Sequence, residues 1–178
     1  ARARLAGLIE VPGFHGALDG ETNLAWLARL SGMGARQARL EARRLLELVG
    51  LTQAAGKPVQ AYSHGMKQRL VVCASLIHEP RILVVDEPMV GMDPKGARKL
   101  KDLFRSLSEQ GTTVFLSTHS IGVAEEVCHR IGIIQRGRLI ACGTMADLYA
   151  QAQTKQGNLE SVFLELTQDN PADTVQPE

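Results

Sequence analysis

The chain has 178 residues, 44% hydrophobic and 22% charged, which is typical of a soluble globular protein that buries the core of one domain. Its formal net charge of +1 gives no reason to expect a nucleic-acid partner. No apolar stretch approaches the ~20 residues that a membrane-spanning helix needs, and no signal-peptide pattern is visible. The three cysteines are scattered, so we interpret them as core residues of a protein in a reducing compartment.

Two helices are predicted within residues 20–50, separated by the Gly-Met-Gly sequence at 32–34. Apolar residues recur at helical spacing in each of them. The first apolar face contains Leu24, Leu27, Ala28 and Leu30, and the second contains Ala38, Ala42, Leu45 and Val49. Trp26 lies off the first face, and Gly50 is a suitable C-cap for the second helix. The arginines of the second helix are interpreted as a solvated face rather than an anion site.

A third helix is predicted to begin near Ser63, which is a good N-cap, and to end at Glu79-Pro80. The aliphatic run at 82–85 then predicts a strand that is buried on both faces of a parallel sheet. A helix over 96–110 and a second strand over 113–117 follow. This alternation of strand, helix and strand favours an α/β fold.

The last third of the chain contains shorter elements. A short helix is predicted over 121–129, and two apolar runs around Arg136-Gly137 predict a hairpin. Residues 158–167 have a helical pattern. The polar stretch 168–178, with two prolines, is predicted to be disordered.

Two acids, Asp86 and Glu87, stand where the predicted strand at 82–85 ends. Ligands of open α/β sheets bind at the carboxyl ends of strands. An acid pair at that edge suits a magnesium–nucleotide site, with one acid for the metal and one for the attacking water. The segment alone is equally consistent with an ordinary core strand that ends in two solvated acids.

The order of three features resembles the ATP-binding subunit of ABC transporters: Ser63-x-Gly65 at a helix start, then Asp86-Glu87, then His119 after the next strand. Within this family the sequence is most similar to the bacitracin, lantibiotic and multidrug export group. Residues 8–14 resemble its Q-loop segment, with Glu10 where many relatives carry Gln. Residues 62–70 resemble its signature motif, and residues 160–167 resemble its C-terminal helix.

The resemblance implies the C-terminal part of a P-loop NTPase (RecA-like) ABC ATPase domain, with a parallel sheet core and an α-helical subdomain. It assigns 1–19 to the Q-loop segment and the start of the helical subdomain, and 20–79 to the helical subdomain with the signature motif. Residues 80–150 then form the Walker B, D-loop and switch-histidine half of the core, and 151–178 the C-terminal helix and tail.

The Walker A motif, Gly-x-x-x-x-Gly-Lys-Ser/Thr, does not occur in the sequence. In this family it lies before the Q-loop and supplies backbone N–H groups and a lysine to the phosphates. We therefore expect the sequence to be the C-terminal part of an ATPase subunit that is inactive alone.

The resemblance also implies roles for the residues that match the core motifs, with ATP and Mg²⁺ as cofactors. Asp86 would orient the magnesium ion, Glu87 would polarise the attacking water, and His119 would contact the γ-phosphate. Glu10 would sense the magnesium ion and relay the nucleotide state to the membrane partner. Thr22 replaces a glutamate that is usual in the export group, so we expect a weakened local cap.

Further roles follow for the signature motif and the turn after the acid pair. Ser63, His64 and Gly65 would grip the γ-phosphate of ATP held by the opposite subunit of a dimer, with Gly65 allowing close approach of the backbone. His64 stands where the export group usually carries an aliphatic residue, and we interpret it as a tolerated surface substitution. Asp93 would help to connect the two sites.

The expected partners are a transmembrane permease subunit and a second ATPase subunit in a head-to-tail dimer, which would place the protein in the cytoplasm on the inner face of the cell membrane. The function expected is ATP hydrolysis that drives drug or peptide-antibiotic efflux. One alternative is a non-catalytic module that docks on a membrane partner or a full-length ATPase. Another is a soluble ABC-type ATPase of translation or DNA repair, which usually carries a second cassette or coiled-coil insertions that are not seen here.

Overall fold

The computed structural model describes residues 5–8, 13–152 and 158–167, and these fall into two compact units that divide between Thr118 and His119. The first unit contains a parallel sheet of strands β1 (Leu5–Leu8), β2 (Ile82–Asp86) and β3 (Thr113–Ser117), in that order. The register of β2 and β3 places Asp86 directly opposite Ser117. The predicted α/β fold with a parallel sheet is confirmed.

Three helices lie between β1 and β2: α1 (Gly20–Leu30), α2 (Ala35–Leu48) and α3 (His64–Leu76). Asp19 caps α1 by accepting a hydrogen bond of 2.7 Å from the backbone N–H of Thr22, so a cap is present despite the Thr22 exchange. Ser63 caps α3 as predicted. Short 3₁₀ turns at Thr52–Ala54 and Val59–Ala61 join α2 to α3.

The three-helix part, residues 20–76, has a closed apolar interior. Fully buried residues come from all three helices, and include Leu24, Ala28, Ala38, Leu45, Leu70 and Cys73. Burial raises the pKa of the Cys73 thiol, whose Sγ donates a hydrogen bond to the backbone oxygen of Leu45 at 3.3 Å. Cys73 is therefore a core residue, as the sequence predicts. The same prediction is wrong for Cys142, which is exposed, and Cys128 is only partly buried.

Leu30 differs from its prediction. It was expected on the buried face of α1, but 67% of its surface is exposed. Residues four apart lie on the same side of a helix, so Leu30 follows the exposed Trp26 rather than the buried Leu24.

The sheet is covered on one face. Helix α3 packs against β1, and helix α4 (Pro94–Glu109) packs against β3. In β2 the side chains of Leu83 and Val85 are buried, whereas Ile82 is 40% exposed. Phe115, opposite Val84, is 64% exposed. The prediction that β2 is buried on both faces is therefore wrong for the described residues, because the second face has no covering layer among them.

The second unit is built around an antiparallel hairpin of β4 (Ile131–Gln135) and β5 (Arg138–Gly143). Arg136 and Gly137 both have positive φ, 49° and 76°, as the predicted tight turn requires. Helices α5 (Ile121–Val127), α6 (Met145–Gln151) and α7 (Leu159–Thr167) complete the unit. Its core contains Ile131, Ile133, Ala141, Leu148 and Val162. Within the described part of the chain, no helix is both long and apolar enough to cross a membrane.

Candidate functional site

Asp86 and Glu87 lie at the carboxyl edge of the sheet, where β2 and β3 end together. The hydroxyl of Ser117 donates a hydrogen bond to Oδ1 of Asp86. The hydroxyl of Thr118 donates to Oε2 of Glu87 at 3.2 Å. Each acid of the pair therefore has a hydroxyl donor from the neighbouring strand end, and we name these four residues the acid edge.

The backbone of Glu87 is held in an unusual conformation. Its φ is +43°, in the left-handed region that residues other than glycine adopt at a cost of about 1–3 kcal/mol. The N–H of Glu87 donates to the backbone oxygen of Ser117 at 3.0 Å, one step beyond the regular pairing of the two strands. This hydrogen bond ties the strained residue to the end of β3.

The acid edge offers suitable ligands for a magnesium ion. Carboxylate and hydroxyl oxygens are hard donors, and Mg²⁺ commonly uses only one or two protein carboxylates together with waters and substrate phosphates. Among the described residues, no group of three or more His, Cys, Asp or Glu side chains could hold a metal ion. The carboxylate and hydroxyl oxygens of the acid edge would suit a magnesium ion that also binds nucleotide phosphates.

The start of α3 carries the predicted phosphate-binding residues Ser63, His64 and Gly65. The side chains of Ser63 and His64 are exposed. Gly65 is buried, and a Cβ atom at this position would lie 3.2 Å from Cα and 3.1 Å from Cγ of Met92. Glycine at position 65 therefore allows α3 to approach the turn after β2. Close approach to a ligand, the role expected from the sequence, stays a prediction.

The turn that follows Glu87, residues 88–93, packs against the start of α3. Gly91 has a φ of +71°, and a Cβ atom on it would lie 3.1 Å from Cδ2 of His64. Asp93 caps α4 by accepting a hydrogen bond of 3.2 Å from the N–H of Gly96. The structure thus brings His64 and Gly65 together with the turn that contains Asp93.

Arg69 is a positioning residue that sequence analysis missed. Its Nη1 donates to the backbone oxygen of Val49 at 3.0 Å, and its Nε donates to the backbone oxygen of Gly65 at 3.3 Å. The side chain thereby joins the end of α2 to the start of α3. The available signal was its place one helical turn after Gly65.

Ser117 and Thr118 were also missed as partners of the acid pair. Both are polar residues at the end of a predicted strand, which was a usable signal, but only the register shows which acid each contacts. Of the other predicted site residues, His119 is exposed and begins the second unit. Glu10 lies outside the described residues.

Comparison with known proteins finds one matching family profile and several related proteins. A family profile described as "AAA domain, putative AbiEii toxin, Type IV TA system" matches residues 19–125, more than half of the chain. The daunorubicin resistance ATP-binding protein DrrA3 of Streptomyces coeruleorubidus is 41% identical over 169 residues, covering 93% of this chain and 53% of the relative. The bacitracin transport ATP-binding protein BcrA of Enterococcus faecalis is 35% identical over 181 residues, covering 98% of this chain and 58% of the relative.

A solved structure agrees with these relatives. It is described as the ATP-binding subunit of an ABC transporter, and it matches with a TM-score of 0.80 and 28% identity, covering 94% of this chain and 70% of the other. The chain spans a little more than half the length of the two relatives named above.

Proposed function

Because the chain belongs to the ATP-binding proteins of ABC transporters, we propose that it forms the water-activating and signature part of a magnesium–ATP site. The observation that carries the proposal is the acid edge, in which Asp86 and Glu87 are each held by a hydroxyl from the neighbouring strand end. A pair of solvated acids at the end of a core strand would need no such support. The shared edge therefore favours a site over an incidental cluster.

Each residue of the acid edge has a role in this proposal. Magnesium bound with ATP would neutralise charge on the phosphates. Asp86 would orient the ion, and the Ser117 hydroxyl would hold the Asp86 carboxylate in place. Glu87 would accept a proton from the attacking water, with its carboxylate oriented by Thr118 and its backbone fixed by the sheet edge. His119, the next residue along the chain, would contact the γ-phosphate.

The start of α3 would serve a second ATP molecule. Free N–H groups and the helix dipole at a capped helix start favour phosphate. We propose that Ser63, His64 and Gly65 contact the γ-phosphate of ATP bound to a second ATPase subunit in a head-to-tail dimer. Asp93, in the turn packed against this helix start, would link the two sites, and Glu10 would sense the magnesium ion.

We further propose that the three-helix part docks on a transmembrane permease subunit at the inner face of the cell membrane, and that the assembly exports a drug or peptide antibiotic. The relatives named for daunorubicin resistance and bacitracin transport support the export of such compounds. The 178 residues contain no Gly-x-x-x-x-Gly-Lys-Ser/Thr sequence. Since losing a single charge-stabilising donor costs about 3 kcal/mol in a transition state, we expect these residues alone to leave ATP unhydrolysed.

The test is a chimaera in which a segment that carries a Gly-x-x-x-x-Gly-Lys-Ser/Thr phosphate-binding loop is fused before Ala1. The chimaera should hydrolyse magnesium–ATP, and the 178-residue chain alone should not. Glu87→Gln should reduce the rate about 10²–10⁴-fold, because general base catalysis contributes that much. Nucleotide binding, measured by calorimetry, should be retained in this variant.

Glu109→Gln is the matched control, because Glu109 is an exposed acid of the same unit at the end of α4. It should leave the rate unchanged. A chimaera that binds ATP but hydrolyses it equally well with and without the Glu87 carboxylate would contradict the proposal. Hydrolysis of magnesium–ATP by the 178-residue chain alone, if Glu87→Gln abolishes it, would also contradict the proposal.

A further inference from the structure

The last helix of the second unit ends against the turn of the hairpin. Gln135 is the final residue of β4, and Thr167 is the final residue of α7. The side-chain Nε2 of Gln135 donates a hydrogen bond of 2.9 Å to the backbone oxygen of Thr167. Residues 168–178, which lie outside the described residues, therefore continue the chain from a point that is held at the hairpin.

The turn end of the hairpin is basic. Residues 131–143 contain two arginines, Arg136 and Arg138, and no acid. Both arginine side chains are exposed. The strand register places Arg138 directly opposite Gln135, and residues that are directly opposite each other project from the same face of a sheet. Arg138 therefore leaves the hairpin on the face where Gln135 contacts the end of α7.

The acid that follows the hairpin lies at its other end. Asp147 packs against Gly143, the last residue of β5. Its Oδ2 accepts hydrogen bonds of 2.8 Å from both the N–H and the hydroxyl of Thr144. These hydrogen bonds, with a smaller contribution from Arg130, lower the pKa of the Asp147 carboxyl. Asp147 is thus engaged with Thr144 and Arg130, away from the two arginines of the turn.

The segment that continues from α7 carries the opposite charge. Residues 168–178 contain three acids, Asp169, Asp173 and Glu178, and no lysine or arginine. Asp169 can lie at most about 7 Å from Thr167 between Cα atoms, and Asp173 at most about 20 Å. Carboxylates are the preferred partners of guanidinium groups. Because the segment is tethered beside the turn, its effective concentration is high, so even weak exposed ion pairs can hold it.

We propose that residues 168–178 fold back onto the hairpin turn, with the Asp169 carboxylate on the guanidinium of Arg138 and the Asp173 carboxylate on that of Arg136. The occupant of this basic surface is the chain's own acidic segment, which covers it against other anionic groups. Without such ion pairs the segment is expected to be disordered, because it has too few apolar residues to form a core. This contact concerns the second unit alone and does not depend on the proposed ATP chemistry.

The test is nitrogen-15 relaxation of the complete 178-residue chain, measured by NMR at low ionic strength. The backbone order parameters of residues 169–173 should exceed about 0.6 in the parent chain and fall below that value in Arg138→Gln and in Asp169→Asn. Adding salt to about 1 M should release the segment in the parent, because the Debye length falls to about 3 Å. The amide shifts of the hairpin verify that each variant remains folded.

Matched variants separate the proposed ion pair from general charge. Arg130→Gln removes an exposed arginine just before the opposite end of β4, and Glu165→Gln removes an exposed acid of α7. Both should keep the order parameters of the parent. Arg138→Asp should release the segment, and the charge exchange Arg138→Asp/Asp169→Arg should restore its order. A purely structural role of Arg138 would not be rescued by an arginine at position 169.

Three outcomes would overturn the proposal. The first is order parameters below about 0.6 for residues 169–173 in the parent at low ionic strength. The second is an equal effect of Arg130→Gln or Glu165→Gln and Arg138→Gln, which would indicate general charge attraction or a contact within the described helix. The third is order that appears only as the protein concentration rises, which would identify the occupant as the same segment of a second copy.

Discussion

The three-helix part and the parallel sheet bury their apolar residues to different extents. In the helices the interior positions are shielded by one another, and Leu24, Leu45 and Leu70 have no exposed surface. In the sheet only one face is covered among the described residues, and Phe115 on the other face is 64% exposed. The comparison teaches that the helices complete a core from residues close in sequence, whereas the sheet has an apolar face that the described residues leave uncovered. We therefore expect stability to be concentrated in the helices.

The largest effect should come from opening a cavity among the helices. Leu45→Ala removes a fully buried side chain and should lower the free energy of unfolding by about 3 kcal/mol. Urea titration followed by Trp26 fluorescence measures this loss within the same three helices. Leu40→Ala is the control, since Leu40 lies on the same helix with 60% exposure and should change the value by less than about 0.5 kcal/mol. Similar values for both variants would contradict a closed interior.

The next largest effect is expected at the contact between the start of α3 and the turn at residues 88–93. Gly65→Ala places a methyl group against Met92 and should cost about 1–2 kcal/mol through overpacking. Shortening the neighbour in Gly65→Ala/Met92→Ala should recover part of the loss, in a double-mutant cycle by urea unfolding. Gly122→Ala, where a methyl group meets nothing within 4 Å, should be neutral or stabilising. Independent effects of the two substitutions would show that the contact is unimportant.

A smaller effect is expected at Tyr62, whose hydroxyl donates to the backbone oxygen of Ala54 at 2.7 Å. Tyr62→Phe should cost about 1 kcal/mol at neutral pH. Burial, with a smaller contribution from Asp19, raises the pKa of Tyr62 above its usual value. The free energy of folding that neutral Tyr62 contributes is therefore fully present at pH values below the ordinary tyrosine pKa. It is lost as the pH rises through the raised pKa of the folded protein.

Thermal melts of Tyr62→Phe and the parent should accordingly converge in alkaline solution. A constant gap between parent and Tyr62→Phe across the alkaline range would contradict the assignment.

The smallest change in stability should come from the open face of the sheet. Phe115→Ala should lower the free energy of unfolding by less than about 1 kcal/mol, well below the loss expected for the buried Leu45. The exposed variant should also reduce self-association, measured by light scattering, because an uncovered apolar sheet face favours contact with other molecules. A large stability loss at Phe115 would mean that this face is covered in solution.

Local patterns in the sequence predict the elements of this fold well. The break at 32–34, the Ser63 cap and the Arg136-Gly137 turn are each set by neighbouring residues, and the structure has all three. The start of α4 at Pro94 rather than residue 96 reflects the Asp93 cap, which was assigned to a different role. Such features depend on a few consecutive residues, so the sequence contains the information to predict them.

Contacts between residues that are far apart along the chain are harder to predict from one sequence. Arg69 reaches the backbone of Val49, 20 residues earlier, and Ser117 contacts Asp86, 31 residues earlier. The position of Asp86 and Glu87 at a strand end is predictable, but their hydroxyl partners depend on strand register. The open face of the sheet was missed because four aliphatic residues in a row do not show how many layers surround them.

The close contact of Gly65 with Met92 also has a thermodynamic consequence. A Cβ atom added at position 65 would lie 3.2 Å from Cα of Met92, so the glycine backbone at the start of α3 is packed against the turn. A ligand that shifts the helix start would thus shift the turn, and a ligand at the turn would shift the helix start. Linkage requires that each such ligand change the affinity of the other by the same factor.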